Sequence, residues 1–219
     1  MGWERARKPE QKEQRRAEIL RATRDLLRER ALADVSLSAI ARASQVSKAN
    51  IYRYFESREA ILLELLLGHA EAMVADFERA LASLSGGGDV PAVADAITRT
   101  LVEHPAFVEL FAVVSSVLEK NVSADAIRSF KRRIGFQILR PVNALHAAIP
   151  ALSIDDARRA LTHVLIHVCG LWPSAHPVGD VAAVLDEPEF QMLRLDYEDV
   201  LRDNVCIILR GILARPSAS

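Results

Sequence analysis

Two short helical runs separated by only three residues constrain this chain more than any other feature of its sequence. Leu37 to Ser44 and Lys48 to Phe55 both carry helical spacing, and each follows a serine able to cap it, Ser36 and Ser47. Gln45, Val46 and Ser47 alone connect them, so the helices must cross steeply and need a small residue where they touch, which Ala41 supplies. Ile40, Val46 and Ile51 then fill the wedge between them, leaving Lys48, Asn50, Tyr52, Arg53 and Tyr54 at or near the outer face. This is the pattern of a helix-turn-helix, whose second helix offers its N-terminal residues to base edges in the major groove.

The residue types suit that use. Lys48 can bond guanine acceptors or a phosphate, Asn50 can pair with adenine, and tyrosine hydroxyls can reach phosphates. Arg58 stands at the free N-terminus of a helix opened by Ser57, itself a phosphate site. The candidate DNA contacts are therefore Ser36, Ser47, Lys48, Ala49, Asn50, Tyr52, Arg53, Tyr54 and Arg58. An arm with Arg5, Arg7 and Lys8 is expected to reach an adjacent minor groove. The competing reading makes residues 36–55 a packed hairpin with Tyr52, Tyr54 and Phe55 in the core; for Tyr54 a partly buried ring with a working hydroxyl is a third.

Charge separates the readings. The net charge of −1 conceals a division: residues 1–60 carry 14 Lys and Arg against 9 Asp and Glu, and the remaining chain carries 14 against 20. Positive charge thus gathers around the helix-turn-helix, as nucleic-acid binding requires, while the body is acidic.

No alternating β-branched runs bounded by turn pairs occur, while apolar residues recur at three and four, which predicts an all-α chain of about nine helices. Ile19, Leu20, Thr23, Leu26, Leu27 and Ala31 predict an amphipathic helix from Glu10 to about Leu32, with Arg15, Arg21, Arg24 and Arg28 on its wet side. A long helix from Ser57 to about Leu84 closes at Ser85-Gly86-Gly87-Gly88-Asp89, read as a flexible link. Further helices are expected at 91–103, 105–120 and 123–148, the last interrupted at Pro141, whose kink would leave the Gln137 carbonyl without its helical partner. Ser153-Ile-Asp-Asp156 starts a helix to about Trp172, and a last helix spans 188–213. The domains expected are a head at 1–56 and a helical body at 57–219.

Ala160 to Gly179 is a 20-residue run without a charged side chain, long enough to span a bilayer. Its three histidines and two prolines argue for a buried helix ending near Trp172-Pro173 instead. The charged N-terminus shows no signal peptide, and two cysteines make no disulfide framework, so a cytoplasmic protein is expected. Cys169 and Cys206 are read as buried thiols, with a redox switch as the alternative. No Gly-rich phosphate loop, no Gly-x-Ser-x-Gly and no carboxylate-rich metal constellation is found, which argues against an enzyme.

Residues 40–62, Ile-Ala-Arg-Ala-Ser-Gln-Val-Ser-Lys-Ala-Asn-Ile-Tyr-Arg-Tyr-Phe-Glu-Ser-Arg-Glu-Ala-Ile-Leu, resemble the signature of the tetracycline-repressor (TetR) family of bacterial one-component regulators. Two departures stand out: Ser44-Gln45 where the family has Ala-Gly, and Arg58 where it has a phosphate-binding lysine. Gln45 without glycine is expected to be strained if the turn is left-handed. The resemblance implies DNA contacts at Lys48, Asn50, Tyr52 and Tyr54, and a dimer built from about 153–173 and 188–213. The apolar stripe Leu193, Tyr197, Val200, Leu201, Asn204, Val205, Ile208 and Leu209 fits that interface or packing within one subunit. It also implies an effector pocket among the helices at 91–103, 105–120, 123–148 and 153–173. Candidate lining residues are Phe107, Phe111, Val114, Leu118, Phe130, Phe136, Gln137, Ile138, His163, His167 and Trp172, suiting an apolar or aromatic molecule with one or two polar handles.

His163 and His167, four apart, are read as pocket handles, as core or interface histidines, or as metal ligands; no metal or cofactor is expected. Lys131-Arg132-Arg133 is read as a solvated face, or as an anchor for an anionic ligand. The expected function is a ligand-responsive repressor that binds a palindromic operator as a dimer. The alternatives are the same DNA-binding protein under a protein partner or no effector, and more remotely a helical enzyme.

Overall fold

In a computed structural model, residues 3–215 are described, with side chains from Glu10 onward, so the arm residues Arg5, Arg7 and Lys8 lie outside the described side chains. The described residues form ten α-helices and three 3-10 turns, with no strand. Packing divides them into two units, one holding residues up to 68 together with 114–131, the other holding 69–113 and 132 onward.

In the first unit, α1 (Trp3–Glu29) starts earlier than expected and ends before Ala31, which is exposed. Its buried stripe is the predicted one: Ile19, Thr23 and Leu26 face inward, while Arg15, Arg21, Arg24 and Arg28 remain wet. Thr23 is fully buried because its hydroxyl donates back to the Ile19 carbonyl at 2.8 Å, leaving no unpaired polar group. Helix α1 packs on α2 (Leu37–Ser44), which is followed by α3 (Lys48–Ile51) and the first turns of α4 (Arg58–Ala82). Ile19, Leu26, Val35, Ile40, Val46, Ile51, Phe55 and Ile61 make one buried cluster, with Ala41 and Tyr54 against it. Helix α3 is shorter than predicted. After Ile51 the backbone tightens into three-residue turns, Arg53 N–H to Asn50 O and Tyr54 N–H to Ile51 O, which bring Phe55 into the core. Bulky and β-branched residues at 51–55 favour helix weakly, so packing decides the geometry.

Residues 114–131 belong to this same unit. Val114, Leu118 and Phe130 are buried there, and the Ser123 N–H donates to the Glu56 carboxylate at 2.6 Å. The predicted helix 105–120 is in fact α6 (Pro105–Ala112) followed by turns and a 3-10 segment at Leu118–Asn121. The run Val113-Val114-Ser115-Ser116-Val117 explains the early stop, since valine loses rotamer freedom in a helix and serine competes for backbone hydrogen bonds.

In the second unit, α5 (Val90–Glu103) is capped by Asp89, whose carboxylate accepts the Ala92 N–H at 2.8 Å, with Pro91 in the first turn. The glycine link before it is fastened rather than loose. Gly86 and Gly88 donate to the Ala147 and Ala148 carbonyls at the end of α7 (Ala124–Ala148), satisfying acceptors that the helix leaves open. Gly86 sits at φ +83°, and a Cβ on Gly88 would meet the Val93 side chain at 3.0 Å, so both positions call for glycine.

Helix α8 (Ile154–Ala175) starts at the predicted cap: Ser153 Oγ accepts the Asp156 N–H and donates to the Asp156 carboxylate at 2.7 Å. It runs through Pro173 rather than stopping there, because a proline in the last turn forfeits only one helical bond. No helix of the described residues is long and apolar enough to cross a membrane. The expected last helix 188–213 is a 3-10 turn at Pro188–Leu193 followed by α10 (Tyr197–Leu213), which begins where Asp196 caps the Asp199 N–H, and a short helix α9 (Asp180–Leu185) lies ahead of both. Helix α10 packs on α5 and α8, and α6 packs on α8.

Candidate nucleic-acid interface and ligand cavity

The turn between α2 and α3 is a Schellman closure. Gln45 N–H donates to Arg42 O at 3.3 Å and Val46 N–H to Ala41 O at 3.2 Å, with Gln45 left-handed at φ 55°, ψ 26°. The strain expected for a side chain here is therefore present. Gln45→Gly is expected to raise stability by about 0.5–1 kcal/mol, read as a higher denaturation midpoint at unchanged slope. A lower midpoint would mean that the Gln45 side chain contributes more than its backbone loses.

The predicted contact residues divide into those that hold the motif and those that face outward. Ser36 Oγ accepts the Ala39 N–H at 3.2 Å and Ser47 Oγ accepts the Asn50 N–H at 3.3 Å, so both are engaged as helix caps. Lys48, Ala49, Asn50, Tyr52 and Arg53 are exposed, Tyr52 by 58%. Ile51 between them is fully buried. Tyr54 is half-buried against the core, and its carbonyl receives Arg16.

Arg58 departs from its expected place. Its guanidinium turns inward, donating through Nε to Val35 O and through Nη2 to Leu32 O, and pairs with the buried Glu59 carboxylate at 3.3 Å. A planar fork reaches the two loop carbonyls from two separate nitrogens in fixed geometry, whereas a lysine would have to serve both from a single ammonium. The residue in the first turn of α4 thus clamps the 32–35 segment ahead of α2.

A cavity of about 60 Å³ lies within the second unit. It is lined by Ala70, Met73, Val74 and Phe77 of α4, by Phe107 and Phe111 of α6, and by α5, α7 and α8 residues that include Gln137, Ile138, Pro141 and Val164. Phe107 and Phe111 stack at 5.5 Å between centroids. Gln137 is the polar side chain of an otherwise apolar lining.

Of the predicted lining, Phe107, Phe111, Gln137 and Ile138 are here, and the others are elsewhere. Val114, Leu118 and Phe130 are core of the first unit, because residues 114–131 pack there: the chain leaves helix after Ala112, and α7, which carries Phe130, begins only at Ala124. Phe136 is 75% exposed, on the opposite side of α7 from Ile138. His163 is exposed, and His167 is half-buried one position to the side of the inward stripe Leu161, Val164, Val168. Trp172 stacks on His176 at 3.8 Å and meets Tyr197 edge-on at 5.1 Å, a cluster whose burial pushes the Tyr197 hydroxyl up to about 12. Burial also raises the Cys169 and Cys206 thiols, which keeps them protonated and slow to oxidise. Lys131, Arg132 and Arg133 are exposed, and Lys131 pairs with Glu119.

The contribution of α4 was missed in the sequence. Its signal was present in Ala70, Met73, Val74 and Phe77, an i, i+3, i+4, i+7 stripe inside a long helix from which no lining residue was expected.

Similarity to known proteins agrees with this geometry. Residues 19–65 match the family "Bacterial regulatory proteins, tetR family", and residues 67–216 match "Tetracyclin repressor-like, C-terminal domain". The HTH-type transcriptional regulator EthR of Mycolicibacterium smegmatis is 32% identical over 128 residues, covering 51% of this chain and 58% of that protein. EthR of Mycobacterium tuberculosis H37Rv is 44% identical over 48 residues, 22% of each chain. The chain thus spans less than two thirds of the length of the curated relatives it matches.

In fold, it is similar to RolR in complex with resorcinol, at TM-score 0.57 and 18% identity, covering 97% of this chain and 99% of that one. A transcriptional regulator from Rhodococcus sp. Rha1 gives TM-score 0.55 at 19% identity, covering 92% and 99%. With both halves of the chain matched and a helix-turn-helix facing solvent, the protein belongs to the TetR family of DNA-binding transcriptional regulators.

Proposed function

We propose that the chain is a ligand-responsive repressor that binds a palindromic operator as a homodimer and releases it when a small apolar or aromatic molecule enters the cavity. The observation that carries this reading is the cavity itself, apolar except for Gln137 and walled on one side by α4. Lys48, Ala49, Asn50, Tyr52, Arg53 and the Tyr54 hydroxyl are the proposed DNA contacts, on a head that functions as residues 1–56. Helices α8 and α10, with Ile166 and Ile207 each 65% exposed, are the proposed dimer surface. Two-fold symmetry would set two recognition helices about 34–36 Å apart, matched to a palindrome.

The volume argues for how the effector acts. A void that accepts benzene is on the order of 150 Å³, so a ring-sized effector must move side chains aside in a cavity of about 60 Å³. Met73, Val74 and Phe77 belong to α4, the helix whose first turn holds the 32–35 segment through Arg58. Displacing them biases the helix, provided the effector binds the DNA-incompetent arrangement more tightly. RolR, a fold neighbour, is described with resorcinol, which supports a phenol-sized effector here. The same small volume supports a second reading in which a protein partner, or no effector, controls the chain.

The test is footprinting on DNA upstream of the chain's own gene, with small phenols added, for the wild type and Val164→Phe. The wild type should protect a palindrome and release it on addition of an effector. Val164→Phe, which fills the cavity, should protect the same site and ignore the effector. Absence of any protected palindrome at low salt would overturn the repressor reading; release from both proteins alike would overturn the cavity.

A further inference from the structure

Beyond the recognition turn, the first unit carries a groove in which the beginning of α1 faces the segment after α3. Gln11, Lys12, Gln14 and Arg15 line one side, Arg53 and Tyr54 the other. Among the described residues, every lining side chain is a cation, an amide or a phenol, and no carboxylate lines the groove. We propose that this groove is a second seat for the DNA phosphate backbone, with Lys12, Arg15 and Arg53 as its charges.

Three observations carry the assignment. First, Lys12 and Arg53 have no ion-pair partner among the described residues, while Arg15 is held only by Glu18 at 2.7 Å across an exposed face. Such an exposed pair is worth little and yields readily to a stronger anion. Second, the placement is enforced. Arg16, next to Arg15, donates to the Tyr54 carbonyl, lies over the Phe55 ring at 4.5 Å and pairs with Glu64 at 3.1 Å. The two sides of the groove are therefore fastened together, and α1 presents Lys12 and Arg15, three residues apart, at neighbouring positions of one helix face.

Third, the groove is continuous with the outward face of the recognition segment. Arg53 follows Tyr52, which is 58% exposed, so a duplex lying on Lys48–Tyr52 has its next phosphates at Arg53. The chemistry recognised is a run of phosphodiesters rather than a base: Lys12 and Arg15 sit on a helix outside the motif, with no geometry for reading base edges. The groove fixes the register of the head on DNA and adds affinity without adding sequence preference.

This rests on the DNA-binding reading, and the experiment separates the two. Affinity is measured by fluorescence anisotropy over a salt series, on a duplex from upstream of the chain's own gene and on a scrambled duplex of equal length. The proteins are wild type, Lys12→Ala/Arg15→Ala, Arg53→Ala, and the charge-matched control Arg21→Ala/Arg24→Ala, whose side chains leave α1 on its far side and are exposed. The Lys12/Arg15 variant should lose about 2 from the slope of log K against log salt, and Arg53→Ala about 1, by the same amount on both duplexes. The control should keep the wild-type slope.

An unchanged slope in the double variant, or an equal loss in the control, overturns the groove while leaving the recognition helix intact. If inorganic phosphate at constant ionic strength displaces duplex from the wild type and not from the double variant, the groove is a free-anion site and the proposal fails. A wild type that binds neither duplex removes the DNA reading altogether.

Discussion

Ile51→Ala is expected to abolish DNA binding although Ile51 touches no DNA, and to lower the stability of the head by about 3 kcal/mol, within the range of 2–5 kcal/mol typical of such truncations. Helix α3 is a single turn of four residues, and a helix that short has no stability of its own. Three devices hold it: the Ser47 cap, the turns that return Phe55 to the core, and Ile51, its one buried side chain, at 0% exposure. Truncating Ile51 opens a void in the cluster that holds Ile40, Val46 and Phe55 and removes the one buried side chain of α3 itself.

Tyr52→Ala, one residue on, is the contrast. With 58% of Tyr52 already in solvent, stability should change by no more than about 0.5 kcal/mol, while duplex affinity falls roughly tenfold, the order of one lost contact. Denaturant unfolding and duplex titration on both variants check the pair. An Ile51→Ala protein that unfolds like the wild type would mean that α3 is positioned by something other than its buried side chain. A Tyr52→Ala protein with full affinity would remove Tyr52 from the interface.

Arg58→Ala is expected to destabilise the head by about 2–3 kcal/mol, the order of losing charge-assisted hydrogen bonds to two carbonyls and a carboxylate, discounted for partial exposure. The loss leaves the Val35 and Leu32 carbonyls without this donor and the buried Glu59 without its cation. Arg58→Lys separates the two roles of the position. If the side chain serves phosphate, a lysine keeps both binding and stability. If it clamps the backbone, as its geometry here argues, a lone ammonium replaces two fixed donors on separate nitrogens and most of the stability loss is expected to persist. Thermal or denaturant unfolding of both variants reads the result, and full stability in Arg58→Lys would overturn the clamp. The departure from the family's lysine thus has a physical consequence: the first turn of α4 is tied to the segment before α2.

Much of the head was legible in the sequence, because its signals are local. Ser36, Ser47 and Ser153 were recognisable caps, since a short side chain with an acceptor before an apolar run has one obvious use. Gln45 was flagged only conditionally, as strained if the turn is left-handed, because it stands where the family pattern has glycine; the structure makes it left-handed. Apolar spacing named Ile19, Leu26, Ile40, Val46 and Ile51 of the buried cluster, and left Val35 and Ile61 unnamed.

The cavity was less legible, for a reason visible in its members. Val114, Leu118 and Phe130 are as apolar as Phe107 and Phe111, and apolar character decides burial without deciding which core a side chain enters. The choice was made by the break in helix after Ala112 and by residues 114–131, which pack with the head. The histidines misled for a similar reason: spacing placed His163 and His167 on one side of α8, and only the packing of α6 and α10 against that helix decided that Val164 faces inward and His163 outward.

The chain by itself therefore determined what is encoded in neighbouring residues: the all-helical class, the caps, the basic head and the outward residues of the recognition segment. Tertiary structure decided what depends on residues distant in sequence: the inward turn of Arg58, the attachment of 114–131 to the head, the fastening of the glycine link onto α7, and the entry of α4 into the cavity wall. Local hydrogen bonds and periodicity act over three or four residues and leave a readable trace. Long-range packing selects among many apolar side chains of equal hydrophobicity, and shape rather than residue type makes that selection.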